Sequence, residues 1–168
     1  MKHFAIALSA LILLPATSEA ACFGAGEPLF HCTVDHGRKA VDVCLQGGVA
    51  IYRFGPPTGA AEMLLAPVVT ETEMTPWNGI GRYLWEEVTF YNGRYAYLVS
   101  YSLDRTAPNG QAAPEGGIIV AEGDSELADL QCDAGSVTEA NFYPLFEAKE
   151  AAGQPWCPAT QSWGMPCN

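Results

Sequence analysis

Short runs of alternating apolar and polar residues, separated by glycine turns, dominate the chain from Leu29 to Leu130. A period of two is the pattern of half-buried strands. Leu29 to Val34 and Lys39 to Leu45 flank the turn Asp35-His36-Gly37-Arg38, and Gln46-Gly47-Gly48 leads into Val49 to Phe54. With Gly47-Gly48 as a two-residue loop, Leu45 faces Ala50, Val43 faces Tyr52 and Val41 faces Phe54. Asp42 then faces Arg53 on the other side, so this register has one apolar face and one ion pair.

Glu62 to Val69 predicts a further strand, interrupted at Pro67 and therefore at a sheet edge. The strongest hairpin signal follows: Arg82 to Tyr91, Asn92-Gly93, then Arg94 to Leu103. An Asn-Gly loop of type I′ would pair Phe90 with Tyr95, Val88 with Tyr97, Glu86 with Val99 and Leu84 with Tyr101. That face is apolar except for Glu86. The opposite face, with Tyr83, Trp85, Glu87, Thr89 and Tyr91 on one strand, is amphipathic. Asp104 to Glu115 reads as a surface loop, and Asn-Gly turns recur at 78, 92 and 109. Ile118 to Ala121, the turn Glu122-Gly123-Asp124-Ser125 and Glu126 to Leu130 predict a third hairpin. Ser136-Val137-Thr138-Glu139 then has the form of a capping box, and Pro144 to Ala152 before Gly153 predicts helical turns.

These elements predict an all-β fold, a mostly antiparallel meander of seven or eight strands forming a sandwich or partly open barrel, with a short helical tail. Residues 1–20 read as a removable secretory signal: Lys2 and His3 precede the apolar stretch Phe4 to Leu14, and Thr17-Ser18-Glu19-Ala20 is a small-residue cleavage region. Residues 21–135 then form the β-domain, and 136–168 a tail packed on the same domain. No other segment is long and apolar enough for a transmembrane helix. Cys22, Cys32, Cys44, Cys132, Cys157 and Cys167 all follow the signal, as expected of disulfides in an oxidising compartment. Their spacing leaves the connectivity open, although Cys157 and Cys167 are placed to close a local loop that ties down the tail.

The formal net charge is −11, which disfavours nucleic acid as a partner. Asn78-Gly79-Ile80-Gly81-Arg82 superficially resembles a phosphate loop. It has no third glycine and no Lys-Ser/Thr, and a strand follows it rather than a helix, so its glycines are read as turn chemistry. A tight hairpin about Asn78-Gly79 would set Glu71 against Glu86, two like charges face to face. Three resolutions are open: Pro76 shifts the register, the segment before it is a free loop, or a calcium ion bridges Glu71, Glu73 and Glu86. Glu122, Asp124 and Glu126 fit a hairpin turn better than a calcium loop. His31 and His36 lie in no hydrolase or zinc-protease motif, Gly-x-Ser-x-Gly is absent, and Glu86 and Glu87 point to opposite faces of one strand. The expectation is therefore a non-enzymatic protein with no cofactor.

The remaining candidate is an aromatic surface of Trp77, Arg82, Tyr83, Trp85 and Glu87. Tyr, Trp and Arg anchor protein interfaces, and flat aromatic faces stack on sugars. The bland alternative is that this face lies under the C-terminal tail, which brings Trp156 and Trp163 of its own.

Phe30-x-Cys32, Val41-x-Val43-Cys44, Tyr52-x-Phe54-Gly55 and Trp77-Asn78-Gly79-x-Gly81-Arg82, followed by the long Asn-Gly hairpin, resemble a group of uncharacterised small exported bacterial β-proteins over roughly residues 28 to 132. The resemblance implies a periplasmic or secreted β-protein and no particular site. In type the chain is also similar to the periplasmic inhibitors of lysozyme. Their Ser-Gly-x-x-Tyr loop has its nearest counterpart in Gly79-Ile80-Gly81-Arg82-Tyr83, which lacks the serine, so no inhibitory residue carries over. The functional expectation is an envelope binding protein for a protein or glycan. An inhibitor of a basic cell-wall hydrolase and an enzyme acting on envelope components are the alternatives.

Overall fold

In the computed structural model, residues 22, 26–108, 112–164 and 167 are described. The signal segment 1–20 and the Asn109-Gly110 turn lie outside the described residues. Three two-residue loops shape the two sheets, and in each the glycine comes first. Gly47, Gly93 and Gly123 have φ of 58°, 62° and 55°. Positive φ at the first loop position alone is the requirement of a type II′ turn, whose twist matches the flanking strands.

The first sheet has the order β10-β1-β2-β3-β4. Its strands are β1 Glu27–Val34, β2 Lys39–Gln46, β3 Val49–Gly55, β4 Met63–Leu65 and, from far along the chain, β10 Glu139–Ala140. The pairs Leu45–Ala50, Val43–Tyr52, Val41–Phe54 and Asp42–Arg53 form as the Gly47-Gly48 loop predicts. Asp42 Oδ2 lies 3.3 Å from an Arg53 guanidinium nitrogen, and its Oδ1 lies 2.7 Å from His31 Nδ1. The edge strand β4 is shorter than the sequence predicts. After Pro67, which has no N–H to give a ladder, only a Val49–Val68 bridge and a single 3₁₀ turn, Val69–Glu71, remain.

The second sheet runs β5-β6-β7-β8-β9: Glu73–Thr75, Tyr83–Asn92, Tyr95–Asp104, Glu115–Glu122 and Ser125–Gln131. Here one expectation is corrected and one open question is answered. The β6–β7 register is displaced by two residues, because Asn92 pairs with Tyr95 and the loop is Gly93-Arg94. The shift is even, so each side chain keeps its face but changes partner. Glu86 stands opposite Tyr101 rather than Val99, and Phe90 opposite Tyr97. No tight hairpin forms about Asn78-Gly79, the arrangement that would have opposed Glu71 to Glu86. Residues 76–82 make an open loop after Pro76, and β5 pairs Glu73 with Thr89 and Thr75 with Glu87. Glu71 and Glu86 are therefore not opposed, and among the described residues no group of three or more His, Cys, Asp or Glu is placed to hold a metal ion.

The sheets pack face to face around Phe30, Val41, Val43 and Tyr52 from the first and Val88, Phe90, Val99 and Ile118 from the second. Tyr52 lies 5.4 Å from Phe90 and 5.7 Å from Tyr97 between ring centroids. Phe142, fully buried, closes one end against Phe30 and Tyr101.

The capping box at Ser136 does not start a helix. Thr33 N donates to Ser136 Oγ, which in turn donates to Thr33 O, and Glu139–Ala140 join the edge of β1. Edge pairing satisfies more backbone than one isolated turn would, so tertiary context overrides the local signal. The helix predicted beyond it does form, as α1, Tyr143–Ala151. Pro144 sits in its first turn, where a missing N–H costs nothing, and Gly153 at φ 86° follows its end. Two short strands, β11 Trp156–Cys157 and β12 Ser162–Trp163, complete the tail.

Disulfides join Cys22 to Cys44, Cys32 to Cys132 and Cys157 to Cys167. The second ties β1 to the chain leaving β9, and the third closes the tail as expected. Three disulfides indicate an oxidising compartment. Among the described residues no helix is long and apolar enough to cross a membrane.

Candidate functional site

The open loop at residues 76–82 separates the aromatic residues that the sequence groups together. Trp85 and Glu87 project from the outward face of the second sheet and line a groove of about 260 Å³. Trp77 belongs to the loop before β6 and lines a different cavity, beside Leu84 and Glu86 of the inward face and Trp156 of the tail. The alternatives therefore divide: Trp77 adjoins the tail, and Trp85 does not.

Arg82 and Tyr83 sit at the start of β6. The Arg82 guanidinium grips the Asp104 carboxylate, with Nε 3.0 Å from both oxygens, and lies 5.3 Å from the centre of the Tyr83 ring. That hydrogen bonding raises the Arg82 pKa and holds the Asp104 carboxyl well below the usual range. Arg82 is thus committed to Asp104, whereas Tyr83 is 47% exposed. In the 76–82 loop, Trp77 Nε1 donates to Ile80 O, Ile80 N donates to Asn78 Oδ1, and Arg105 covers the Trp77 ring at 4.5 Å. Gly79 and Gly81 take φ of 82° and 106° in that loop, a turn rather than an anion cradle.

The groove is built from ladder rows. One row crosses the sheet as Thr75–Glu87–Ser100–Gly117–Gln131, and beside it runs Trp85–Ser102–Glu115. Ile119 and Asp129, paired with each other, form the next row on the far side. Gly117 supplies a floor without a side chain, and a Cβ there would lie 2.9 Å from Leu130 O. The result is a flat half-buried indole flanked by hydroxyls, an amide and three carboxylates, with no Lys or Arg among the lining residues. Partial burial in this groove raises the Glu87 pKa.

Of the sequence candidates, the structure brings Trp85 and Glu87 together, leaves Tyr83 at the sheet's end, pairs Arg82 with Asp104 and sends Trp77 elsewhere. Ser100, Ser102, Gly117, Asp129 and Gln131 were missed. The signal for them existed in period-2 parity, but it becomes readable only once the β6–β9 registers are linked in series.

Compared with known proteins, the chain matches no family model, and no curated protein or solved structure matches it. What the fold and groove define is a class: a disulfide-bonded protein of two packed antiparallel sheets.

Proposed function

We propose that this is an exported, non-enzymatic binding protein of the bacterial envelope, whose ligand is a glycan carrying no negative charge, seated in the Trp85 groove. The observation that carries this reading is the Trp85 indole beside the Glu87–Ser100–Gly117–Gln131 row. A flat aromatic face suits the C–H face of a sugar ring, and a few fixed polar groups suit its hydroxyls. The acidic lining favours neutral or amino-bearing sugars over anionic ones. The N-terminal signal pattern and three disulfides support export to the periplasm or beyond.

The carboxylate spacing supports binding over hydrolysis. Glu87 lies two strands and one row from Glu115, about 12 Å between backbones, and three strands and one row from Asp129, about 16 Å. Side chains stand roughly perpendicular to a sheet. Paired catalytic carboxyls in glycosidases lie about 5–9.5 Å apart.

The test is co-sedimentation with insoluble cell-wall glycan, comparing wild type with Trp85→Ala and Gln131→Ala. Trp85→Ala should weaken retention about tenfold, equivalent to about 1.4 kcal/mol, with a smaller loss for Gln131→Ala and an unchanged circular dichroism spectrum. Equal retention of wild type and Trp85→Ala overturns the reading. Salt-sensitive inhibition of a basic lysozyme, lost in Trp85→Ala, would instead assign the groove to a basic hydrolase.

A further inference from the structure

The cavity at the tail has a different chemistry. Its volume is about 510 Å³, and its lining includes Trp77, Tyr101, Tyr143, Phe146 and Trp156 together with Glu86. Tyr143 and Phe146 lie one turn apart on α1 with their rings stacked at 5.8 Å, Trp156 opens β11, and Trp77 comes from the loop before β6. Three separate segments thus bring aromatic side chains to the lining that also holds this carboxylate, one face of Trp77 being covered by Arg105.

Glu86 is 9% exposed, so its solvation comes mainly from the protein. Tyr101 Oη donates to Oε2 at 2.6 Å, and the Phe142 backbone N donates to the same oxygen at 3.0 Å. Burial, reinforced by Glu86, pushes the Tyr101 pKa up, which keeps its hydroxyl a donor. Oε1 accepts no hydrogen bond from a described residue. Since no buried side-chain oxygen among them lacks a partner, Oε1 keeps accessible surface, and Glu86 is among the residues that line this cavity.

We infer that this cavity binds a quaternary ammonium group, held between the aromatic faces with its charge against Glu86. A neutral apolar guest would leave a buried carboxylate further desolvated, which is costly. A cation satisfies the carboxylate and is attracted to the negative faces of the rings within about 6 Å of their centroids. A primary ammonium brings three N–H donors that each need an acceptor. The cavity's other side-chain acceptors are largely engaged: Asn78 Oδ1 takes Ile80 N at 3.0 Å, and Asn141 Oδ1 takes Tyr143 N at 3.1 Å. A fully methylated nitrogen has no such requirement. The Trp85 groove lies on the opposite face of β6, and among the described residues Tyr101 is the one that lines both.

The test is a tryptophan-fluorescence titration of the folded, oxidised protein with choline, with tetramethylammonium and with 3,3-dimethylbutan-1-ol, the neutral isostere of choline. Saturable responses to both cations, at least tenfold stronger than to the neutral alcohol, are expected. Glu86→Gln keeps an acceptor for Tyr101 and Phe142 N and should abolish the preference for cations. If that variant fails to fold, Tyr143→Ala at the 55% exposed rim residue should weaken choline binding several-fold, and Trp85→Ala should leave it unchanged. Co-sedimentation with pure phosphatidylcholine vesicles separates the two sources of the group: vesicle binding that free choline displaces points to a lipid headgroup, whereas choline binding without vesicle binding points to a free ligand. A response to the alcohol as strong as that to choline, no saturable response to either cation, or full cation preference in Glu86→Gln overturns the inference.

Discussion

Trp77 and Trp85 stand eight residues apart in one loop-and-strand segment, yet they line two concavities of opposite character. The groove around Trp85 is acidic and made entirely by the second sheet. The cavity around Trp77 is larger and aromatic, and its wall includes Tyr143 and Phe146 of α1 and Trp156 of β11. Strand parity accounts for Trp85, an odd-numbered residue on a strand whose even-numbered residues enter the core. Trp77 escapes parity because residues 76–82 leave the ladder, and Arg105 with the Ile80 carbonyl fixes its ring instead. Aromatic residues close in sequence therefore need not form one surface. Apart from Tyr101, the two concavities are lined by different residues, which can be separated by mutation.

The largest effect is expected from Phe142→Ala. Phe142 is fully buried, touches Phe30 of one sheet and Tyr101 of the other, and gives its backbone N–H to Glu86. Truncating a buried phenylalanine costs about 3–5 kcal/mol, a large part of a small domain's stability. Urea denaturation should show that loss in one cooperative transition, with both binding activities falling together. Two transitions, with glycan retention surviving the first, would show that the sheets fold without the tail.

Removing the tail's own staple should separate the sites more cleanly. Replacing both Cys157 and Cys167 by serine opens a loop of ten-residue separation, for which loop-closure entropy amounts to about 2–3 kcal/mol. The loss falls on the segment carrying Trp156 and on Trp163, whose Nε1 donates to Met74 O at 2.6 Å. Choline binding should drop at least tenfold while retention on cell-wall glycan stays at the wild-type level. An equal loss of both would mean that the tail supports the groove as well.

How much of this was legible in the sequence depends on how far each contact reaches along the chain. Asp42 and Arg53 flank a two-residue glycine loop, and their pairing follows from that loop alone. Glu86 looks like a defect on an apolar face because both of its partners are remote from such local reasoning. Tyr101 requires the Gly93-Arg94 loop rather than Asn92-Gly93, and the Phe142 N–H comes from 56 residues away. Ser136 to Glu139 carries a sound helix-start signal that loses to the open edge of β1. The fold class, the tail helix and the Cys157–Cys167 loop were readable because each rests on periodicity or short spacing. The Gly117 floor and the cavity around Glu86 were not, because each needs several registers to be known at once.

The smallest effect concerns what holds α1 against the sheet edge. Lys149 is buried, and its Nζ donates to Val69 O, Thr72 O and Gln154 Oε1 at 2.9, 2.6 and 2.9 Å, with the Trp163 ring centre 4.8 Å away. Burial outweighs the Glu73 charge and lowers the Lys149 pKa to about 8, against about 10.4 in an unfolded chain. Between those values the unfolded chain binds more protons at this residue than the folded one, so this contribution to stability rises with pH from about 8 to about 10.4. Tyr52, Tyr91 and Tyr101 act in the opposite sense. Burial is the leading cause of a raised pKa in each, that of Tyr91 reaching about 12, so stability falls as unfolded tyrosines ionise near pH 10. Comparing wild type with Lys149→Met cancels the tyrosines. In urea denaturation at pH 8, 9 and 10, wild type should gain on the variant at each step, and choline binding should strengthen relative to it as α1 tightens against residues 69–72. A stability difference that stays flat across that range would mean that Lys149 remains fully charged in its site, and glycan retention at the Trp85 groove should be unaffected throughout.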